Sequence, residues 1–455
     1  MQHVRNYVTE NLPRFKNELK QLCDLPSVRD HPVGLKKAVE YIYTYLANLG
    51  ANPQILEIPG AAPCLFGQIG HQGPTLLFYN HYDVQPVTQW DKWDSDPFDT
   101  VFKNGQIIAR GASDDKGNLM ARFQAIETYR QLYGGLPVTI KFFIDGEEEN
   151  GGTHFPQYIQ KYGHLLDANF CVWESGRKDE TDRPAFFIGT KGFLPLELKA
   201  TGARNEVHSA WGGLVPNAAW RLVTALSTMV DSTGQIIIDN LSQYVPPLSG
   251  ADLALLEQIP CDLPALKERL GITKFLTDSQ SNKNLILQRH FFEPSCTIQG
   301  LQSGSTESAK SSIPNAATAR LDFRFGPTLT PELIFELINQ HLANHGFDDI
   351  SVTKLSDGYR PFRTPANAAF VERVRRSFKK VYGVEPVVHP VQAASGPMWD
   401  LVSAVQAPLV SFGIGYASDN VHGFNENIRL ADYVEGILLV VELIHSFTEP
   451  NNDSR

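Results

Sequence analysis

The residues of this chain with the most chemistry in them fall at the ends of apolar runs. His81 ends TLLFYNH with Asp83 two positions on, Glu147 to Glu149 end VTIKFFIDGEEE, Glu174 ends NFCVWE, and His422 lies in the loop after APLVSFGIGY. Asp114 sits in the turn GASDDKGN, which leads into a helical pattern. Singly, each has a commoner reading: a lone histidine packs in a core or lies on the surface, a DD pair caps a helix, and EEE is a solvated charge run. Together they are harder to dismiss. Ionisable side chains gathered at strand ends repel one another and lose hydration unless a counter-cation is present. Imidazoles and carboxylates without thiolates suit zinc, with manganese or cobalt as substitutes. A carboxylate can bridge two ions; an imidazole cannot. Asp83, on the same side of the strand as His81, is placed to accept the second ring N–H. Glu148, beside a ligating Glu149, is left free to act as a general base.

The elements that must position these residues are legible as patterns. The apolar runs look like buried parallel strands, and helical spacings fall between them: Leu119, Phe123, Ile126 and Tyr133 after the DDKG turn, and Tyr433 to Phe447 near the end. In such sheets ligands collect at the carboxyl ends of the strands, where the candidates lie. A further amphipathic helix is expected from Val8 to Cys23. The middle differs. LPLELKATG and ATARLDFRF alternate with period two, the pattern of antiparallel strands with one wet face. Helices are expected from Asn217 to Val230 and after Thr330-Pro331-Glu332, a good cap followed by a good first helical residue. The expected fold is therefore an α/β catalytic domain with a mostly parallel sheet flanked by helices, in two parts (1–193 and 358–455). A smaller α+β domain, 194–357, interrupts it.

With 455 residues, 42% hydrophobic and 20% charged, the chain is ordinary globular material for two or three domains. A net charge of −10 without lysine or arginine runs excludes the footprint of a nucleic-acid binder. The start has no secretory h-region, and no apolar stretch reaches the roughly 20 residues that span a bilayer. The expectation is a soluble, cytoplasmic protein without a membrane partner. The five cysteines are scattered and never spaced as CxxC, so metal must be held by His, Asp and Glu.

The motifs HYD, GASDDKGN, DGEEENGG, ESG and NVHGFNE resemble those of the co-catalytic zinc family that includes carnosinase-type dipeptidases, glutamate carboxypeptidase, aminoacylase and succinyl-diaminopimelate desuccinylase. The resemblance runs over nearly the whole chain. It implies a catalytic domain interrupted by a lid and dimerisation domain, and hence a homodimer through the lid. It implies two divalent ions per chain, one on His81 and Glu174, the other on Glu149 and His422, with Asp114 bridging. Glu148 matches the catalytic base and Asp83 the histidine orienter. NEVHSAWGG resembles the segment whose histidine stabilises the oxyanion, a role for His208, which in dimeric members comes from the partner subunit. LDFRFGP resembles the strand whose arginine, here Arg324, grips the substrate carboxylate. SGPM, with Ser395 and Gly396, resembles the loop that binds the same group.

Two departures bear on substrate. Glu174 stands where carnosinase-like dipeptidases have aspartate, as in family carboxypeptidases and deacylases. Gln392, in QAAS, stands where they have an acidic residue facing the free amine, and a neutral amide gives up that charge-assisted contact. The long segment EPSCTIQGLQSG nevertheless resembles the dipeptidase branch. The expected activity is hydrolysis of an amide bond in dipeptides or short peptides with a free carboxylate, by a metal-bridging hydroxide with Glu148 as base. N-acyl amino acid deacylation and a non-catalytic peptide-binding relative are the alternatives. A two-metal phosphoesterase finds no phosphate clamp in the sequence.

Overall fold

The computed structural model describes residues 1–276, 282–307, 310–392 and 395–449. Two compact units divide the chain: Met1–Gly189 with Thr364–Pro390 and Asp400–Arg455, and Thr190–Arg363 with Val391–Trp399. The second unit thus exceeds the expected 194–357 and takes in residues 391–399, which the sequence pattern left with the catalytic portion. A short loop carries no periodicity to say which core it joins. Here backbone pairing decides, since the Lys191 N–H donates to the Gln392 carbonyl at 3.2 Å.

The first unit is built on an eight-stranded sheet. Its order is Gln54–Leu56, Cys64–Ile69, Thr139–Asp145, Thr75–His81, Phe170–Trp173, Leu409–Ser411, Ala185–Phe187, Val387–His389. Thr75–His81 pairs in parallel with both its neighbours and is buried from Leu76 onward. A strand covered on both faces has no wet side, so its sequence is a continuous apolar run. Leu409–Ser411 also runs parallel to Phe170–Trp173. The four central strands therefore end at one edge, with His81, Asp145, Trp173 and Ser411 as their last residues. The flank at Gln54–Leu56 and Cys64–Ile69 is antiparallel, and on the other side Leu409–Ser411 also meets Ala185–Phe187 antiparallel.

Helix Lys116–Tyr133 buries Leu119, Phe123 and Ile126 as their spacing requires. It packs against Gln2–Cys23 and Leu430–Ser446, and the latter packs on Ala369–Tyr382. The N-terminal helix starts six residues before the expected Val8, because Val4 extends its buried stripe by one turn.

The second unit has a four-stranded antiparallel sheet ordered Ser295–Ser303, Ala316–Phe325, Gly192–Thr201, Ser351–Lys354. The two alternating segments pair directly, with Leu196 opposite Leu321 and Leu198 opposite Ala319. Their inward residues form one core with Leu222, Ala225 and Met229 of helix Ala218–Met229 and Ile334, Leu337 and Ile338 of helix Pro331–Asn344. Asn217 caps the first helix through its side chain, and Thr330 caps the second ahead of Pro331.

The alternation has a direct test. Leu321 is fully buried, whereas its neighbour Arg320 is exposed on the other face. Leu321→Ala is expected to lower unfolding free energy by roughly 2–5 kcal/mol in denaturant titration, and Arg320→Ala by less than about 0.5 kcal/mol. Equal losses would mean that the two faces are assigned wrongly.

Candidate metal centre

The sheet's carboxyl edge brings the donors together. Among the described residues, one ligand atom from each of His81, Glu148 and Glu174 lies within 4.8 Å of the others, and the same holds for Asp114, Glu149 and His422. Asp114 reaches both groups, with Oδ1 3.0 Å from His81 Nε2 and Oδ2 3.1 Å from His422 Nε2. Glu174 Oε2 lies 3.6 Å from His81 Nε2, and Glu149 Oε2 lies 3.1 Å from His422 Nε2. His81 is fully buried while His422 is half exposed, so one group is closed and the other open to solvent.

Asp83 does more than the sequence pattern suggests. His81 Nδ1 lies 3.0 Å from the Asp83 backbone carbonyl and 3.4 Å from its carboxylate, so the carbonyl is the nearer acceptor. The carboxylate accepts the N–H groups of Glu148 at 3.2 Å and Glu149 at 3.0 Å. It thereby orients the turn that carries both glutamates. Gln85 holds Glu149 in addition, donating from its backbone N at 3.2 Å and from Nε2 at 2.9 Å.

Three supporting residues escaped the sequence pattern. Buried Glu426 accepts from Arg110 Nη1 at 2.7 Å and from the N–H groups of Gly111, Ser113 and Asp114 at 2.9–3.0 Å. Arg110 also donates to the carbonyls of His422 and Gly423 at 3.4 and 3.1 Å. This pair therefore ties the loop bearing Asp114 to the loop bearing His422, whose φ of 63° is uncommon for a residue with a side chain. Arg122, also buried, donates to the carbonyls of Tyr79, Trp173 and Phe412, binding three strand ends into one platform. The available signal was a charged residue inside an apolar or glycine-rich run, as in IIARGA and LMARFQA.

The electrostatics are those of crowded carboxylates. Burial pushes the Glu148 carboxyl up to about 8; the charge of His81 opposes the rise more than any other single neighbour, and Glu149 and Asp114 add to it. Burial and then the charge of Glu148 raise Glu174 well above the carboxylate range. Burial opposes ionisation of Asp114 too, but hydrogen bonds from His422 and His81 prevail and hold it low. Hydrogen bonds to Asp114 and Glu149 lift His422 to about 10. His81 is also raised, because Glu174, Asp114 and Asp83 outweigh its burial. Protons on the two imidazoles thus stand where cation charge belongs. The residues fit divalent metal: the donors are nitrogen and oxygen only, and Glu174 Oε2 is buried without a hydrogen-bond partner.

The remaining candidates belong to the second unit. Arg324 Nη1 donates to Ser395 Oγ at 2.9 Å, its guanidinium lies 4.3 Å over the Phe193 ring, and its Nε and Nη2 bind the Asp322 carboxylate at 3.0 and 3.2 Å. The structure therefore joins Arg324 to Ser395, with Gly396 next in the same half-buried stretch. Gln392 is half-buried and bridges to Thr190. His208 is exposed in the short strand Val207–His208, where its Nδ1 accepts the Ala210 N–H at 3.1 Å.

Comparison with known proteins agrees with this geometry. Residues 77–446 match the model of Peptidase family M20/M25/M40. The chain is 28% identical over 446 residues to the Beta-Ala-His dipeptidase of Mus musculus, covering 93% of this chain and 87% of that one. It is 26% identical over 426 residues to the Cys-Gly metallodipeptidase DUG1 of Saccharomyces cerevisiae, covering 90% and 87%. The crystal structure of the M20 family metallo-carboxypeptidase Sso-CP2 from Sulfolobus solfataricus superposes with a TM-score of 0.84 at 33% identity, covering 94% of this chain and 98% of that one.

Cation binding should release protons, since His422 gives up one held to about pH 10. Apparent affinity should accordingly rise with pH from neutrality towards that value. Calorimetric titration of manganese or cobalt in two non-chelating buffers of different ionisation enthalpy reads the release; heats independent of buffer would refute it. Glu426→Gln keeps the shape but removes the charge facing Arg110 and one of two accepting oxygens. The expected loss is about 10–100-fold in metal affinity with the fold retained, as measured by equilibrium dialysis and circular dichroism.

Proposed function

We propose that this chain, which belongs to peptidase family M20/M25/M40 and is a metal-dependent peptide-bond hydrolase, cleaves dipeptides and other short peptides that end in a free carboxylate. The observation that carries the reading is Asp114, whose two oxygens face the Nε2 atoms of His81 and His422, each histidine having its own glutamate alongside. His81 with Glu174, and Glu149 with His422, would each hold one divalent ion, with Asp114 shared. Zinc suits this set best, and manganese or cobalt would substitute. When bound, the ions supply Lewis-acid polarisation of the scissile carbonyl and lower the pKa of water.

The chain's own residues do the rest. Glu148, beside His81 and Glu174, takes the proton of the attacking water and passes it to the leaving nitrogen. The Asp83 carboxylate keeps Glu148 in place by accepting the Glu148 backbone N–H, and the Asp83 carbonyl holds the His81 ring. Arg324 and Ser395, already hydrogen-bonded, receive the substrate carboxylate together with the Gly396 backbone. His208 donates to the oxyanion as it forms.

Relatives support both short-peptide readings, since two are named as dipeptidases and one as a metallo-carboxypeptidase. Gln392 favours a second reading, N-acyl amino acid deacylation, because a neutral amide offers an α-ammonium group no charge. Turnover of a panel of dipeptides, C-terminally extended peptides and N-acyl amino acids, before and after chelation, tests the assignment. Activity surviving exhaustive chelation would sink the metal mechanism, and turnover confined to acyl amino acids would transfer the substrate to the second reading.

A homodimer through the second unit is part of the proposal. Its edge strand Ser295–Ser303 exposes Ile298 and Leu301, and helix Ala218–Met229 exposes Trp220, the kind of unpaired edge and apolar surface that a second copy covers. We also place the protein in the cytoplasm, because all five cysteines are unpaired, as in a reducing compartment. No helix among the described residues is long and apolar enough to cross a membrane.

Glu148→Gln is expected to abolish turnover while metal content stays at the wild-type level; loss of metal would show that Glu148 is a ligand. Arg324→Ala should raise KM, and amidating the substrate carboxylate should reproduce much of that loss. His208→Ala should lower kcat by roughly 10²–10³-fold. If the histidine comes from the partner, mixing His208→Ala with Glu148→Gln chains restores part of the activity. No recovery, with subunit exchange verified, would place His208 in its own chain's site or outside catalysis.

A further inference from the structure

We propose that Asp239, His341 and His345 form a zinc site in the second unit, independent of the donors gathered on the first. His341 lies in helix Pro331–Asn344 and His345 caps its carboxyl end, one turn later and on the same side. Their ring centroids are 4.2 Å apart. Both rings converge on one oxygen: Asp239 Oδ1 lies 3.3 Å from His341 Nδ1 and 3.3 Å from His345 Nε2. With zinc bonds of about 2.0–2.2 Å, neighbouring donors in a tetrahedron stand roughly 3.3–3.5 Å apart. The two separations from Asp239 match that figure, and one ligand atom from each of the three residues lies within 4.8 Å of the others.

The groups behind the donors fix their lone pairs. Thr228 Oγ1 donates its proton to the Ala225 carbonyl at 2.7 Å, so at 2.9 Å from His341 Nε2 it accepts the ring N–H. The proton is thereby held on Nε2, and the Nδ1 lone pair faces Asp239. Without metal that lone pair accepts the Asp239 backbone N–H over a long 3.2 Å, a contact the ion replaces. Asn344 Nδ2 donates to Asp239 Oδ2 at 3.1 Å, which leaves Oδ1 to the rings. Here a buried and an exposed imidazole share one carboxylate oxygen, each ligand backed by an outer hydrogen bond or open to solvent.

His345 is 40% exposed, so water takes the fourth position and the ion exchanges with solvent. Bound zinc would join the carboxyl end of helix Pro331–Asn344 to the segment carrying Asp239. It would therefore stabilise the second unit by mass action. Two imidazoles and one carboxylate favour zinc, and also nickel or copper, over calcium or magnesium.

The test compares wild-type protein, His345→Ala and Asp239→Asn, both at partly exposed positions. Each full-length chain is equilibrated by dialysis against the same concentration of free zinc chloride, and bound zinc per chain and thermal midpoint are measured at that concentration. Wild type is expected to hold one more zinc ion than either variant and to gain more in Tm, and calcium is expected to reproduce neither effect. Equal zinc content in all three chains would overturn the site. The readout is a difference between chains with identical first units, so it does not depend on how many ions the Asp114 centre holds.

Discussion

Burying several carboxylates at one sheet edge is the constraint to which the rest of this molecule answers. Glu148, Glu149, Glu174, Asp83, Asp114 and Asp115 crowd around two imidazoles. Taking charges out of water is expensive, and like charges in a low dielectric repel strongly. Burial and mutual repulsion push the carboxyls of Glu148 and Glu174 towards the protonated form, and the neighbouring carboxylates push both imidazoles towards the cation. A pair of divalent cations removes both compromises at once. The same crowding that costs the fold stability favours binding of a cation.

Holding such a cluster in register needs a rigid frame. Parallel strands supply coarse alignment, because their carboxyl ends share one edge. Fine alignment comes from buried polar anchors. Arg122 gathers three strand ends, and the Arg110–Glu426 pair joins the loops that carry Asp114 and His422. Asp115 accepts from Asn80 at 2.6 Å and from the His81 N–H at 3.2 Å, fastening the Asp114 turn to the first strand. These anchors are buried charges with several hydrogen bonds each, the condition under which such groups are tolerated in a core, although Arg110 Nε and Asp115 Oδ1 are left without a partner. Removing one partner would leave the other unsatisfied, which gives the centre little freedom to loosen gradually.

The second unit works under a different rule. Its sheet has one wet face, so charged residues such as Arg324 and Asp322 sit on strands without deep burial. Asp322 already occupies two donors of Arg324 while Ser395 takes a third. A guanidinium held this way is oriented before any ligand arrives, so less side-chain entropy is lost on binding.

The sequence alone determined what depends on local pattern and on residue type. The continuous apolar runs, the period-two segments around Leu196 and Leu321, and the caps Asn217 and Thr330 are local, because burial on two faces, burial on one face and helix initiation each leave a mark within a few residues. The gathering of His81, Asp114, Glu149, Glu174 and His422 was legible for the same reason: hard and borderline donors at strand ends have few other uses in such number. Tertiary structure alone decided which distant groups share a hydrogen bond. The four contacts of Glu426 join residues more than 300 positions apart in the chain. The membership of residues 391–399 in the second unit and the convergence of Asp239 with His341 are equally non-local. Local spacing carries no trace of such pairings, because they are selected by the packing of whole elements and not by the residues beside them.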